Sequence, residues 1–268
     1  LCVGLLNASK NFKKFYESIE VNLLERSKNL KAIQQKKIKN QKVRWIKTIN
    51  EINKGPIIFI CNEFFDALPI KQIIREENLF FEKYVSFSQK KQKLFFSLKK
   101  AKKSLISDIK KLNLILDSNI IEYPINSIKY LKLIAKKIKR YNGGLLTFDY
   151  GYTRKKNKDT LQSVKKHKYI NVLSSPGASD ITSHINYNLF FEILKNNDLD
   201  VKKITSQSKF LQRLGIIERA NILSRRISFK RKADIFYRLK KMLHKNEMGD
   251  IFKVLFAKKR GKGFSLGF

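Results

Sequence analysis

The feature that most constrains this chain is the alternation of short apolar runs with longer amphipathic segments. Residues 57–61 form a continuous apolar run, which is typical of a strand buried on both faces of a parallel sheet. Residues 127–140 have the spacing of an amphipathic helix that stops at the Asn-Gly-Gly of residues 142–144, and residues 145–148 follow as another buried strand. Strands that alternate with helices predict a parallel, doubly wound α/β sheet.

The remaining segments extend this scheme in both directions. Residues 5–18 have helical periodicity, residues 19–24 form a short candidate strand, and Ser27 fits the N-cap of a Lys-rich helix to about residue 40. For the rest of the chain we predict a strand at residues 43–49 that contains Trp45, a long loop at residues 152–178, a helix from Asp180 through residue 194, a strand at residues 201–204, helices within residues 208–243, and a last strand at residues 251–257.

The segment from about residue 75 to residue 111 departs from this regularity. Its apolar residues come in pairs between charged ones, and the alternation around residues 83–96 predicts short antiparallel strands. We therefore divide the chain into a first part of the core at residues 1–75, an inserted α+β flap at residues 76–140, and the remainder of the core at residues 141–268, with a helical substrate-side segment at about residues 208–243.

Acidic side chains follow three of the predicted strands. These are Glu25, Glu63 and Asp149. Ligands of doubly wound sheets bind beyond the carboxyl ends of the strands, and an acid after the second strand is placed to accept hydrogen bonds from ribose hydroxyls. A single glutamate at a strand end is common on protein surfaces, but three such positions predict a nucleoside site to which Glu25 contributes.

The charge of the chain at first indicates a nucleic-acid partner. Lys and Arg number 58 against 22 Asp and Glu, which gives a formal net charge of +36. The basic residues are mostly lysine and occur in every segment, and the abundant Ile, Asn and Phe share their AT-rich codons. Solvated helix faces therefore explain the charge better than a nucleic-acid footprint, although RNA stays open as a partner. Such a surface should attract acidic partners or anionic membranes at low salt.

Neither a membrane span nor a metal site is expected. No apolar run reaches the roughly 18 residues that a spanning helix needs. Cys2 and Cys61 are interpreted as free thiols in a reducing compartment, and the chain as soluble and intracellular. His167, His184 and His244 have no metal-ligand spacing with these cysteines, so no metal is predicted.

The most specific local signature is Asn-Glu-Phe-Phe-Asp-Ala-Leu-Pro at residues 62–69. It resembles the motif of the S-adenosylmethionine-dependent methyltransferase family that includes the mitochondrial complex I assembly arginine methyltransferase (the MidA-like family). Further blocks agree with that family in order along the chain, at residues 143–146, 149–151, 159–162, 167, 176–177, 180–184, 206–207, 210–211, 214–216, 219 and 248–249.

This resemblance implies a class I methyltransferase, a Rossmann-like doubly wound sheet with an inserted α+β segment and a helical C-terminal segment. It implies S-adenosyl-L-methionine as cofactor and a protein arginine as acceptor, on a respiratory complex I subunit or its bacterial counterpart. Two alternatives stay open: an RNA methyltransferase, and an assembly chaperone that binds a partner without catalysis.

Site roles follow from combining the resemblance with the chemistry of the acceptor. Carboxylates can grip a guanidinium through charge-assisted hydrogen bonds, so Glu63 and Asp66 are the candidate catalytic residues. The alternative is that Asp66 caps a following helix and Glu63 pairs with a lysine. Asn62 joins Glu25 as a candidate cofactor-binding residue, or contacts substrate, or only ends its strand.

The candidate substrate-binding residues follow the next strand and begin the predicted helix at residue 180. They are Asp149, Tyr150 and His184, and a structural role is the alternative for His184.

The sequence departs from the family pattern at two places. Asn186 stands where the family often has aspartate, and the family's glycine-rich loop, expected just before Leu1, is absent. We therefore expect an N-terminally truncated sequence that binds the cofactor poorly by itself. Because that loop follows a central strand, its absence also predicts two unpaired edges in the sheet, on the strands that end at Glu25 and Cys61.

Overall fold

A computed structural model describes residues 1–40, 42–114, 119–153, 159–261 and 266–268 of this chain. The described residues form two compact units, residues 1–54 and residues 55–268. Helices and strands alternate in both units, and the order of these elements agrees with an α/β fold.

The first unit contains two parallel strands joined through a helix. Its elements are α1 Cys2–Ser9, α2 Lys13–Ser18, β1 Val21–Leu24, α3 Lys28–Lys37, β2 Val43–Ile46 and a 3-10 helix Ile49–Glu51. The parallel pairing of β1 with β2 confirms the strands predicted at residues 19–24 and 43–49. The helix predicted at residues 5–18 is in fact two helices, because residues 10–12 form a turn between them.

The second unit contains two larger sheets, a three-stranded sheet and the helices that pack around them. Its strands are β3 Ile57–Asn62, β4 Lys71–Glu76, β5 Leu79–Ser88, β6 Lys93–Lys100, β7 Ile120–Tyr123, β8 Gly143–Tyr152, β9 Gln162–Lys165, β10 Lys168–Ile170, β11 Asp180–Thr182, β12 Ile185–Asn186, β13 Leu199–Val201, β14 Thr205–Ser206 and β15 Phe252–Lys259. Its helices are α4 Lys103–Lys111, α5 Ile125–Tyr141, α6 Tyr187–Lys195, α7 Gln207–Arg213, α8 Ile216–Leu223 and α9 Phe229–Leu243, followed by a π-helical turn at Lys245–Gly249.

The sheet that carries the candidate site is mixed. β3 runs parallel to β8, whereas β15 runs antiparallel to β8 with Phe252 opposite Tyr150. The predicted α/β sheet is present, but it is mixed rather than parallel throughout. The helical segment between β14 and β15 starts after Ser206, which pairs with Lys253, and the chain re-enters the sheet at Phe252. Both positions lie beside the carboxyl end of β8, so the last strand has to run back through the sheet.

Strand β3 is covered on one face only. Ile57 and Phe59 are buried, but Ile58 between them is 65% exposed. The prediction that this run is buried on both faces is wrong, since a continuous apolar run does not reveal whether a second layer is present. Among the described residues, β3 pairs with β8 alone and β1 with β2 alone, so each has an edge without a strand partner, as predicted.

Helix α5 packs on the mixed sheet and ends as the sequence predicts. Its fully buried residues Leu131, Ala135 and Ile138 recur at helical spacing. Asn142 at the C-cap has φ +68°, and Gly143 follows with φ +115°. A Cβ at Gly143 would lie 1.8 Å from the carbonyl oxygen of Ile57, so only glycine lets β8 begin this close to β3.

The inserted segment is a four-stranded antiparallel sheet in the order β6-β5-β4-β7, with α4 following β6. Antiparallel strands were predicted around residues 83–96 and are confirmed, although β5 and β6 are longer than predicted. Ile73, Ile109 and Ile121 are fully buried, so this sheet and α4 have a core of their own. The boundaries assigned to the insertion stay a prediction.

Two predictions between residues 152 and 194 are wrong. β9 and β10 lie inside the segment predicted as a long loop and pair with each other, and β9 also pairs with β11, which follows that segment. Residues 154–158 of the predicted loop lie outside the described residues. Asp180 lies in β11 rather than at a helix start. The N-cap of α6 is Asn186, whose side chain accepts a hydrogen bond from the Leu189 N–H at 3.1 Å. Asparagine is as good an N-cap residue as the aspartate that the family often has at this position.

The later helices and strand agree with the sequence. Helices α7, α8 and α9 occupy the region predicted as helical, and β15 matches the last predicted strand. Cys2 and Cys61 are free thiols, as predicted. Within the described ranges, every helix is too short or too polar to cross a bilayer.

Candidate functional site

Asp149 ties the 62–69 segment to β8. Its Oδ2 accepts hydrogen bonds from the backbone N–H groups of Phe65, at 3.1 Å, and Asp66, at 3.2 Å. Its Oδ1 accepts from the Tyr150 N–H at 2.9 Å. The side chain is fully buried. This carboxyl therefore sets the conformation of the segment that carries Glu63 and Asp66.

The Asp149 and Asp66 carboxyls form a buried, electrostatically coupled pair. Burial, and after it the negative charge of Asp66, raise the pKa of Asp149 to about 8 against the lowering effect of the three N–H donors. Burial, together with the charge of Glu63, raises the pKa of Asp66 to about 6, although backbone N–H groups act in the opposite direction. The pair consequently holds a proton near neutral pH.

Asp66 has an oxygen available for a further donor. Its carbonyl accepts from the Ser183 N–H at 3.0 Å, but its side-chain Oδ1 is buried and has no hydrogen-bond partner among the described residues. The alternative that Asp66 caps a following helix is wrong, because a turn and then β4 follow it. A buried acceptor of this kind is costly unless a proton or a donor occupies it.

Glu63 presents an exposed carboxylate at the carboxyl end of β3. Its N–H donates to the Phe148 carbonyl at 3.0 Å, and its φ of +48° lies in the left-handed region, where residues other than glycine are uncommon. The Asn62 amide donates to its Oε1 at 3.2 Å. Backbone strain of this kind clusters at functional sites.

No lysine or arginine in the described parts of the chain forms an ion pair with Glu63, Asp66 or Asp149. This holds although the chain has 58 basic residues. The alternative that Glu63 pairs with a nearby lysine therefore has no support in the described residues. We call these three residues the carboxylate cluster.

Tyr150 and His184 lie beside the carboxylate cluster. Their rings stack with centroids 6.4 Å apart, and Tyr150 also packs against Phe252 at 4.3 Å. Burial raises the pKa of Tyr150, and the carboxylates of Glu63 and Asp66 also act to raise it. His184 precedes β12 rather than starting a helix, and its N–H donates to Thr160 Oγ1 at 2.9 Å.

The two phenylalanines of the 62–69 segment anchor it to neighbouring aromatic side chains. Phe65 is 1% exposed, and its ring meets that of Phe190 edge-on at 4.9 Å. Phe64 contacts the Tyr130 ring at 5.1 Å. These contacts support core packing for Phe65 rather than a role as a site wall.

A polar network at the inserted sheet was missed by the sequence reasoning. Glu122 Oε1 accepts from Gln72 Nε2 at 3.0 Å and from the Thr160 N–H at 2.9 Å, while its Oε2 accepts from Thr160 Oγ1 at 2.6 Å. Gln72 Nε2 also donates to Asp159 Oδ1 at 2.8 Å. Through Thr160, which holds His184, the network joins the inserted sheet to the site. The only signal in the sequence was the block at residues 159–162, for which the resemblance supplied no role.

Glu25 lies in the first unit, directly after β1. Its Oε1 accepts from the Ser27 N–H at 2.8 Å and its Oε2 from Gln34 Nε2 at 2.9 Å. Gln34 is in turn held by the Trp45 indole N–H at 2.8 Å. Ser27 caps α3 as predicted. A carboxylate has about four acceptor positions, so Glu25 retains capacity for the hydroxyls of a ribose.

Within the described ranges, His, Cys, Asp and Glu side chains do not gather in groups of three that could hold a metal ion. The expectation that the protein needs no metal stays a prediction.

Comparison with known proteins gives a family match over most of the chain. The model of the family described as "Putative S-adenosyl-L-methionine-dependent methyltransferase" matches residues 1–205. The chain is 29% identical over 183 residues to a Caenorhabditis elegans protein named "Protein arginine methyltransferase NDUFAF7 homolog, mitochondrial", covering 66% of this chain and 42% of that protein. It is 26% identical over 216 residues to the Danio rerio protein of that name, covering 79% of this chain and 49% of the relative. The chain thus spans about half the length of these relatives or less.

Solved structures with the same fold come from Burkholderia thailandensis. One, crystallised with S-adenosyl-homocysteine bound, has a TM-score of 0.82 and 21% identity, covering 99% of this chain and 70% of that one. A second, a native structure, has a TM-score of 0.78 and 21% identity, covering 92% of this chain and 68% of that one. At this identity the likeness establishes a shared fold.

Proposed function

Because this chain belongs to the family of S-adenosyl-L-methionine-dependent methyltransferases, we propose that it transfers a methyl group to an arginine side chain of a protein. The observation that carries the choice of acceptor is the carboxylate cluster, which has no ion pair within the described residues of a strongly basic chain. A cluster of carboxyls that internal lysines and arginines leave unpaired is suited to an external cation. The names of the curated relatives support arginine as that cation.

S-adenosyl-L-methionine is the cofactor of the family and supplies, when bound, an electrophilic methyl group on a sulfonium sulfur. The cofactor-binding residues predicted from the sequence are Glu25, in the first unit, and Asn62, in the second. The spare acceptor positions of Glu25 fit ribose hydroxyls, and the exposed amide of Asn62 fits a polar group of the ligand.

Glu63 and Asp66 bind and orient the acceptor in this proposal. A guanidinium stays protonated and is a poor nucleophile, so its charge has to be offset and one nitrogen has to be directed. Glu63 grips it from the exposed side through charge-assisted hydrogen bonds. Asp66 Oδ1, buried and without a partner among the described residues, can accept the proton that leaves the methylated nitrogen.

Asp149, Tyr150 and His184 complete the acceptor side. Asp149 acts by positioning, since its oxygens hold the N–H groups of the segment that carries the two catalytic carboxyls. The stacked rings of Tyr150 and His184 form a flat wall beside the carboxylates. A flat aromatic wall suits a planar guanidinium and helps to exclude water.

A respiratory complex I subunit or its bacterial counterpart is the protein target that the resemblance implies, in a bacterial cytoplasm or a mitochondrial matrix. An RNA acceptor is the second candidate, favoured by the formal charge of +36.

The test is a transfer assay with the purified complete protein to which this chain belongs and S-adenosylmethionine labelled on its methyl group. Acceptors are an arginine-containing peptide, the same peptide with lysine in place of arginine, and a single-stranded RNA. We expect label only in methylarginine. The Glu63→Gln variant keeps size but not charge and should lose at least about a hundredfold in rate, with Glu63→Asp partly restoring it. Label on RNA alone, or full activity of Glu63→Gln, would overturn the proposal.

A further inference from the structure

One face of the β5–β6 hairpin is an exposed apolar surface. Val85 pairs with Phe96 and Phe87 with Leu94 across the two strands, so their side chains lie on the same face, together with Leu98 opposite Lys83. Phe96 is 38% exposed, and Val85, Phe87 and Leu98 are also exposed. We call Val85, Phe87, Leu94, Phe96 and Leu98 the apolar stripe.

The apolar stripe is linked to the candidate acceptor site through the contacts of Lys83. Lys83 belongs to the same face, and its Nζ lies 4.1 Å from the centroid of the Phe96 ring. The same Nζ donates to Gln72 Oε1 at 3.0 Å and lies 3.5 Å from Asp159 Oδ2. Thr160, the next residue, holds the N–H of His184 at the acceptor site. A peptide bound along the stripe would therefore have its Lys83 end on the side of the acceptor site.

The exposed charges of the β5–β6 hairpin itself are positive. Residues 79–100 contain six lysines and one acidic residue, Glu82. Glu82 is buried and forms an ion pair with Lys71. A partner that complements this face has apolar side chains between acidic ones.

We propose that the apolar stripe binds an extended segment of the protein substrate, rich in apolar and acidic residues and adjacent in sequence to the methylated arginine. This rests on the proposed function and adds to it the chemistry of the substrate outside the arginine. Remote contacts of this kind supply binding energy that orients the reacting group.

The structure favours a protein segment over a lipid surface. The apolar residues lie on the face of the strands, whereas the hairpin tip at residues 89–92 is Gln-Lys-Lys-Gln. A hairpin that enters a bilayer would present apolar residues at its tip. Lys83 also contacts both Phe96 and the polar network beside the acceptor site. The stripe is therefore linked to the acceptor site, which a surface for a flat membrane would not need.

The test measures binding of a labelled peptide by fluorescence anisotropy, with the purified protein and no cofactor. The peptide has alternating valine and glutamate residues followed by a glycine-flanked arginine. Phe96→Ser is compared with Phe95→Ser, its matched control, because Phe95 is 45% exposed and lies on the opposite face of the same strand. We expect Phe96→Ser to weaken binding about tenfold and Phe95→Ser by less than about twofold.

A peptide with lysine in place of glutamate should not bind measurably. Equal dissociation constants for the wild type and both variants would overturn the proposal. Circular dichroism checks that the variants keep their fold. If Phe96→Ser does not keep its fold, the test is repeated with Val85→Ser, since Val85 pairs with Phe96. Phosphatidylserine vesicles that bind through Phe96, while the peptide binds independently of it, would also overturn the proposal in favour of a membrane.

The two proposals fail separately. Peptide binding needs no methyl transfer, so binding through Phe96 without methylarginine formation leaves the docking proposal standing and removes the proposed function. Methylation of the peptide with the same KM in the wild type and in Phe96→Ser would leave the proposed function standing and remove the docking proposal.

Discussion

The two larger sheets of residues 55–268 differ in what covers them. In the mixed sheet, Val254 and Leu255 point to opposite faces of β15 and are both fully buried, so this strand is covered on both sides. In the antiparallel sheet, Ile73 and Ile121 are fully buried, but the β5–β6 hairpin extends beyond this core with exposed apolar residues. The mixed sheet thus holds the carboxylate cluster in fixed geometry, and the antiparallel sheet presents a surface beside it.

This difference separates two requirements of the proposed enzyme. Transfer needs the carboxyls of Glu63 and Asp66 held in a fixed geometry, which the buried hydrogen bonds from the Phe65 and Asp66 N–H groups to Asp149 provide. Recognition of a protein segment needs accessible surface, which the exposed β5–β6 hairpin provides. The hydrogen-bond network of Gln72, Glu122 and Thr160 connects the antiparallel sheet to the site on the mixed sheet.

The comparison is tested most severely by removing a buried side chain that packs on the mixed sheet. Leu131→Ala, in α5 against the mixed sheet, should lower the free energy of unfolding by about 2–5 kcal/mol, because the side chain is fully buried. Urea denaturation followed by circular dichroism measures this. A cost below about 1 kcal/mol would mean that α5 is not a structural layer of the sheet.

A smaller loss is expected where the mixed sheet meets the 62–69 segment. Asp149→Ala leaves the buried N–H groups of Phe65 and Asp66 without their acceptor and should cost about 1–3 kcal/mol. The exposed carboxylate of Asp108 on α4 is the matched control, and Asp108→Ala should stay within about 0.5 kcal/mol of the wild type. Equal unfolding midpoints in urea for the two variants would contradict a clamping role for Asp149.

The buried pair also predicts how stability depends on pH. The folded-state pKa of Asp149 is raised to about 8 from 3.8, so the folded state holds a proton that the unfolded state has lost. Its contribution to stability is therefore greatest below about pH 4 and falls as pH rises toward 8, by at most about 1.4 kcal/mol per pH unit. Asp149→Asn should flatten this slope between pH 4 and 8 in denaturation series, and an unchanged slope would assign the proton elsewhere.

The smallest effect is expected on the hairpin. Phe87 is exposed, so Phe87→Ser should change the free energy of unfolding by no more than about 0.5 kcal/mol, in contrast to Leu131→Ala. Thermal denaturation of the two variants under the same buffer gives the comparison directly. A loss as large as that of Leu131→Ala would show that the stripe is part of the core and not a docking surface.

Sequence reasoning recovered the elements whose signals are local. The end of α5 at Asn142, the capping of α3 by Ser27 and the antiparallel strands around residues 83–96 follow from turn chemistry and side-chain period, and all three are present. It failed at Asp180, where an aspartate with the chemistry of an N-cap lies in β11 because that strand pairs with β9. Pairing with a distant strand outweighs a local preference that is worth about 1 kcal/mol.

The candidate site divides along the same line. The sequence by itself determined that carboxylates follow β3 and β8 and that the chain resembles this methyltransferase family, because strand period and contiguous motifs are written in neighbouring residues. Only the tertiary structure decided that Asp149 binds N–H groups 84 and 83 residues away, and that Gln72 reaches Asp159 across 87 residues. Such contacts depend on how the sheets pack, and the free energy of packing is shared among many side chains, so no short stretch of sequence encodes them.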